Sequence, residues 1–158
     1  MMKKKVLFIS SMGGHLNELL QLKSLFNNYN YHLVTEKNAS TKYLKKDYKK
    51  KVSYLIYCTK KTFILYPFVL LINSFISLFY FIKYRPKYIV TTGTHTAGPM
   101  CCIGKLFGAK IVYIETFASI SSGSVAGKLI YKFADLFIVQ WESMLKVYPK
   151  AKYAGWIC

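Results

Sequence analysis

The sequence predicts an α/β fold: one parallel, doubly wound sheet with helices on both faces. Short β-branched or aromatic runs alternate with longer segments of helical spacing, the signature of strand–helix–strand units. A length of 158 residues is enough to enclose a core. An apolar content of 53% with 17% aromatics excludes a disordered chain.

The first predicted strand is 4–10, "KKVLFIS". The start "MMKKKVLFISS" has the charge of a leader peptide, but its apolar stretch is four residues long before Ser10, so a strand is expected. Leu16, Leu19, Leu20, Leu22 and Phe26 then follow helical spacing, and "YHLVTE" (31–36) and "VSYLIY" (52–57) read as the next strands. After the apolar stretch 62–82 come a strand at 87–92, a helix carrying Ile103, Leu106 and Phe107 with Gly108 at its end, and a strand at 110–115. "SVAGKLIYKFA" is a third helix candidate, and 135–140 is the last predicted strand. No repeat, linker or low-complexity tail interrupts the alternation, so the expectation is a single domain over 1–158.

Charge and hydropathy narrow the function. The formal charge is +17, from 22 lysines and Arg85 against six acids, yet the mean hydropathy is positive. A basic and greasy chain suits an anionic membrane better than a nucleic acid, and the scarcity of arginine argues against base-edge readout. A nucleic-acid partner is therefore not expected. Residues 37–61 carry nine lysines against Asp47, and the following 21 residues, "TFILYPFVLLINSFISLFYFI", carry no charge. Tyr66, Asn73, Ser77, Tyr80 and Tyr84 fall on one face of this stretch, and Pro67 suits a first helical turn. The reading is a helix lying in the membrane interface through Phe63, Phe68, Leu71, Phe75 and Phe79, with a buried core helix and a spanning helix as the alternatives. Cys58, Cys101, Cys102 and Cys158 show no CxxC or metal spacing and are expected to be free thiols.

Several motifs are excluded. There is no Walker A loop around Gly104, no GxGxxG, HExxH or GxSxG, and His15, His32 and His95 lack metal-ligand spacing. What remains lies at the predicted carboxyl ends of strands, where open α/β sheets keep their sites. "SSMGGH" offers Ser11, Gly13, Gly14 and His15; "TTGTHTAGP" offers Thr92, Gly93, Thr94, His95 and Gly98; Glu115 closes a third strand. Glycines there let backbone N–H groups approach a phosphate at a helix start. Each loop alone also reads as an ordinary turn, and Glu18, three residues past His15, reads either as a functional acid on the same helix face or as a solvated first-turn acid. Three such loops together suggest a crevice for a phosphorylated ligand, with no metal and no cofactor expected.

"GGHLNELLQL", "YIVTTGTHTAGP", "VYIETFASISSGSVAGKLIYKFADLFIVQW" and "YPKAKYAGWI" together resemble the membrane-anchoring acceptor subunit of split GT-B glycosyltransferases. That family has a eukaryotic member in the dolichol-linked N-acetylglucosaminyltransferase and bacterial members in capsule and exopolysaccharide assembly. More distantly the chain is similar to the N-terminal half of the transferase that makes peptidoglycan lipid II, whose glycine loops correspond to Gly13–His15 and Gly93–Pro99 and whose acidic strand end corresponds to Glu115. Ser119 stands where many members have an arginine, and with no counterpart expected for the eukaryotic member's N-terminal transmembrane anchor, the apolar 62–82 segment is expected to supply the membrane contact.

The resemblance implies a Rossmann-like domain equivalent to the N-terminal half of a GT-B enzyme, which binds a polyprenyl-diphosphate-linked acceptor and needs a separate donor-binding subunit. It places the chain peripherally on an anionic membrane, at the cytoplasmic face of the plasma membrane. His15 is the first candidate for general base, since histidine suits proton transfer near neutral pH. Glu115 is expected to orient the acceptor or order the loops, and Trp156 and Ile157 to meet the partner. The alternative is a non-catalytic membrane scaffold for that partner.

Overall fold

The computed structural model describes residues 3–57 and 65–157. Its strands, β1 (Lys5–Ser10), β2 (Asn30–Lys37), β3 (Val52–Ile56), β4 (Tyr88–Gly93), β5 (Lys110–Ile114), β6 (Leu136–Val139) and β7 (Lys152–Tyr153), form one sheet in the order β3-β2-β1-β4-β5-β6-β7. Every pairing is parallel. The six predicted strands are present to within a residue or so at each end. β7, two exposed residues long, was not predicted.

The helices are α1 (Gly14–Gln21), α2 (Lys23–Phe26), α3 (Leu44–Tyr48), α4 (Tyr66–Tyr84), α5 (Gly98–Leu106) and α6 (Val125–Ile130). The helical spacing over 16–26 is split at Leu22, whose N–H bonds to Leu19 O. The third predicted helix is shorter than expected, and starts where the Ser124 hydroxyl accepts from Gly127 N at 2.9 Å. Gly108, at φ +80°, follows the end of α5 as the sequence anticipated.

Strand alternation divides the core. In β1, Leu7 and Ile9 join the face under α4, α5 and α6, while Val6 and Phe8 join Leu16, Leu19 and Phe26 under α1 and α2. That second face is covered only in part. Val90, Val112, Leu136 and Ile138 are half-buried and line a hollow of about 440 Å³ with Leu22, Leu25 and Ile157. A parallel sheet is ordinarily covered on both faces.

The polar stripe of α4 faces the protein. Asn73 takes Ile56 N on its amide oxygen and donates to Ile56 O, each at 2.9 Å, extending the β3 ladder by a side chain. Tyr80 Oη donates to Tyr54 O at 3.1 Å, and Tyr84 Oη lies 3.0 Å from Ser53 Oγ. The opposite face holds Phe68, Leu71, Phe75 and Phe79 at 57–64% exposure. Phe63, the fifth predicted membrane residue, lies outside the described residues. α4 is the one helix among the described residues long and apolar enough to cross a membrane, and only 17% of its most apolar window is buried. The buried-core alternative is thereby set aside: a core helix does not leave four large side chains in water. Among the described cysteines, Cys101 is free and buried and Cys102 free and exposed.

Candidate functional site

Strand order reverses between β1 and β4, so the connections leaving these strands part to opposite faces and open a crevice at the carboxyl edge. Both glycine loops stand there. Ser10 pairs with Gly93 across the two strands, Ser11 N donates to Gly93 O at 3.0 Å, and Thr94 Oγ1 donates to Ser11 Oγ at 3.2 Å. Gly13 and Gly93 take φ of +81° and +95°, which a side chain would strain. Any Cβ at Gly93 would also stand 3.0 Å from Tyr113 Oη and 3.8 Å from the His15 ring. Gly14 and Gly98 open α1 and α5, so the N-termini of both helices belong to this edge.

His15 is fixed by a reciprocal pair of bonds. Its Nδ1 lies 2.8 Å from Thr92 O, and Thr92 Oγ1 donates to His15 O at 2.7 Å. A carbonyl only accepts, so Nδ1 carries the hydrogen, and Nε2 is the ring nitrogen left to hold a lone pair in the neutral form. The ring is half-buried. His95 has Nδ1 3.2 Å from Thr94 Oγ1, and its buried Nε2 makes no hydrogen bond but lies 3.7 Å from Glu36 Oε1.

Three glutamates lock the loops together. Glu36, 2% exposed at the end of β2, accepts from Met12 N at 3.1 Å and from Thr96 Oγ1 at 2.5 Å, tying the first glycine loop to the second. Glu18 is not solvated: it accepts from Thr116 Oγ1 at 2.6 Å and Phe117 N at 3.2 Å, while its Oε2 is buried without a partner. Glu115, 1% exposed, accepts from Tyr148 Oη at 2.9 Å, Thr116 N at 3.1 Å and Ser124 N at 3.4 Å, with Ser119 Oγ at 3.5 Å. Burial, with the Glu115 carboxyl beside it, pushes the Tyr148 hydroxyl well up, so it stays a donor. A Cβ at Gly127 would sit 2.1 Å from Glu115 Oε2, which explains a glycine inside α6.

Glu36, Tyr148 and Gly127 were not singled out from sequence. Glu36 carried a readable signal, an acid closing an apolar strand as Glu115 does; Tyr148 and Gly127 carried none. Among the described residues, none of the three glutamates pairs with lysine or arginine, and no three His, Cys, Asp or Glu gather as a metal site.

The chain's end borders the third loop. Ile157 N donates to Gln140 Oε1 at 3.1 Å, and Gln140 Nε2 donates to Glu115 O at 3.1 Å. Trp156, 61% exposed, packs edge-on against Phe117 at 5.4 Å and beside Trp141 at 5.2 Å.

Comparison with known proteins gives this arrangement relatives. The fold is similar to Acinetobacter baumannii MurG, with a TM-score of 0.72 at 15% identity over 89% of this chain and 42% of that one. It is also similar to UDP-N-acetylglucosamine 2-epimerase from Rickettsia bellii, with a TM-score of 0.74 at 15% identity over 98% and 45%. At such identities the likeness is one of fold: a Rossmann-like unit matching less than half of each larger chain. In sequence, 80 residues are 39% identical to the UDP-N-acetylglucosamine transferase subunit ALG14 of Candida albicans, 47% of this chain and 36% of that protein. The Debaryomyces hansenii subunit of the same name is 31% identical over 95% of this chain and 74% of its own length. The family model described as "Oligosaccharide biosynthesis protein Alg14 like" matches residues 6–157, and the chain belongs to that family.

Proposed function

We propose that this chain is the acceptor-binding, membrane-associated subunit of a two-component glycosyltransferase that uses a UDP-sugar donor. The observation that carries the reading is His15, held between the two glycine loops at the switch point with Nε2 available to accept a proton. The acceptor is a polyprenyl-diphosphate-linked sugar. Its diphosphate is taken by backbone N–H groups at the starts of α1 and α5, with Ser11, Gly13, Gly14, Thr92, Gly93, Thr94, His95 and Gly98 forming the walls. The acceptor hydroxyl attacks the sugar's anomeric carbon, a new C–O bond forms, the bond to UDP breaks, and the hydroxyl proton passes to His15 Nε2. Glu115, at 1% exposure, acts as a positioning residue that holds the third loop rather than touching the acceptor.

A separate donor-binding subunit completes the cleft. The half-covered sheet face and the exposed Trp156 beside it favour a protein partner, with Ile157 as part of the same surface. The apolar face of α4 and the lysines of 37–61 favour peripheral attachment to an anionic leaflet, at the cytoplasmic face of the plasma membrane. The relatives' name supports a hexose donor of the UDP-N-acetylglucosamine type, with UDP-galactose the other candidate. Capsule or exopolysaccharide as the product rests on the sequence resemblance.

One reconstitution tests this. Membranes carrying lipid-linked acceptor and labelled UDP-sugar receive this chain, its donor-binding partner, or both. Transfer only or mainly with both supports the reading; full transfer by this chain alone refutes it.

A further inference from the structure

The candidate site accounts for the glycine loops and leaves unused a groove of about 570 Å³ that starts at Thr94 and His95 and runs between α4 and α6 over α5. Its volume lies in the range of small-molecule sites, about 300–1,000 Å³. In a chain with 22 lysines, its lining among the described residues contains no lysine, arginine or carboxylate, and His95 stands at one end. The α4 wall is Tyr66, Leu70 and Ser74, and the far wall is Ala126 and Leu129 of α6. Both helices carry exposed apolar side chains at the groove: Phe68 of α4 at 63%, outside its lining, and Val125 at 70% and Leu129 at 58% of α6, within it.

From this continuity we infer that the groove holds the first isoprene units of the acceptor's polyprenyl chain, leading it from the diphosphate loops to the membrane. The inference rests on the acceptor reading above. A diphosphate seated at Thr94 and His95 places the first carbons of its lipid at the groove's mouth. Small residues along the groove, Ser74, Gly98 and Ala126, leave room for a slender methyl-branched chain and not for a helix. The absence of lysine from its described lining suits hydrocarbon and not a phospholipid headgroup.

Cys102 lines the groove and is exposed, while Cys101 beside it is fully buried, so alkylation of Cys102 reports occupancy. The wild-type chain in phosphatidylglycerol-containing nanodiscs is treated with N-ethylmaleimide, and Cys102 modification is followed by peptide mass spectrometry. Radiolabelled farnesyl diphosphate, farnesol and inorganic diphosphate are the probes. Farnesyl diphosphate at ten times its Kd is expected to slow alkylation about tenfold, inorganic diphosphate not at all. Farnesol protecting at the same concentration as farnesyl diphosphate supports the groove and refutes the diphosphate loops. Bound farnesyl diphosphate with unchanged Cys102 reactivity overturns the groove and leaves the loops standing. Cys102 already protected by nanodisc lipid, with no further slowing by farnesyl diphosphate, assigns the groove to bulk acyl chains and also overturns the inference. Ala126→Phe, which fills the groove, is expected to abolish the protection; the wild-type comparison stands without it.

Discussion

At the amino edge of the sheet, Asp135 precedes β6 with Lys105 and Lys110 each 3.0 Å from its carboxyl. At the carboxyl edge, Glu18, Glu36 and Glu115 meet hydroxyls and backbone N–H groups instead. Half of the chain's six acids are thus placed where none of its 22 lysines and one arginine reaches them among the described residues. An exposed ion pair tolerates movement of long side chains and contributes little. A buried carboxyl bonded to N–H groups of other loops fixes backbone, and loses much if one partner is removed. The two edges differ likewise in their histidines. His32, toward the amino end of β2, is stacked on Tyr84 at 3.7 Å with Nε2 bonded to Ser53, a packed core residue; His15 is half-buried and held through Nδ1 to Thr92 O.

The largest test of this contrast is His15→Ala, expected to lower transfer by about 10²–10⁴-fold in the reconstituted pair while partner binding persists. Full activity would leave the carboxyl edge a scaffold and the non-catalytic alternative in its place. Glu115→Ala comes next. It strands the Tyr148 hydroxyl and the Ser124 N–H in the interior, so urea unfolding should show a loss of about 2–4 kcal/mol. The third is a pH effect. Burial, with Lys83 nearby, lowers His32 from 6.5 to about 4, so the unfolded chain binds the extra proton between these values. Stability is therefore full above pH 6.5 and falls toward pH 4, by roughly 2–3 kcal/mol for this group. A chain with His32→Asn should lose that slope.

The smallest effect is expected at Asp135. Burial raises its carboxyl, but the Ile111 N–H and the two lysines outweigh this and hold it at about 2. Its contribution is present above pH 3.8 and lost as pH falls toward 2. Asp135→Asn should cost under about 1 kcal/mol at neutral pH, and less in high salt. A cost exceeding that of Glu115→Ala would break the comparison.

Much of this architecture was readable in the sequence because it rests on periodicity. The six longer strands announce themselves by β-branched runs, and the stripe from Tyr66 to Tyr84 was visible as one face of a helix, though that this face meets β3 came only with the structure. β7 and α3 escaped because two exposed residues and one lysine-rich turn carry no period. The glycine loops were legible through residue type, since φ near +90° selects glycine at Gly13 and Gly93. The glutamate network was only half legible. Glu36 and Glu115 mark strand ends, but that Glu18 reaches Phe117 across 99 positions, or Tyr148 reaches Glu115 across 33, depends on loops brought together by strand order.

The central claim, that an anionic acceptor binds at the carboxyl edge despite the lysines elsewhere, is tested most directly by amide NMR. The ¹⁵N-labelled chain in nanodiscs is titrated with farnesyl diphosphate, and shifts are mapped by residue. The account predicts the largest changes at Gly13, Gly14, His15 and Gly93–Gly98. Changes confined to Lys3–Lys5, Lys87 and Lys110 at the amino edge, with the glycine loops silent, would contradict it.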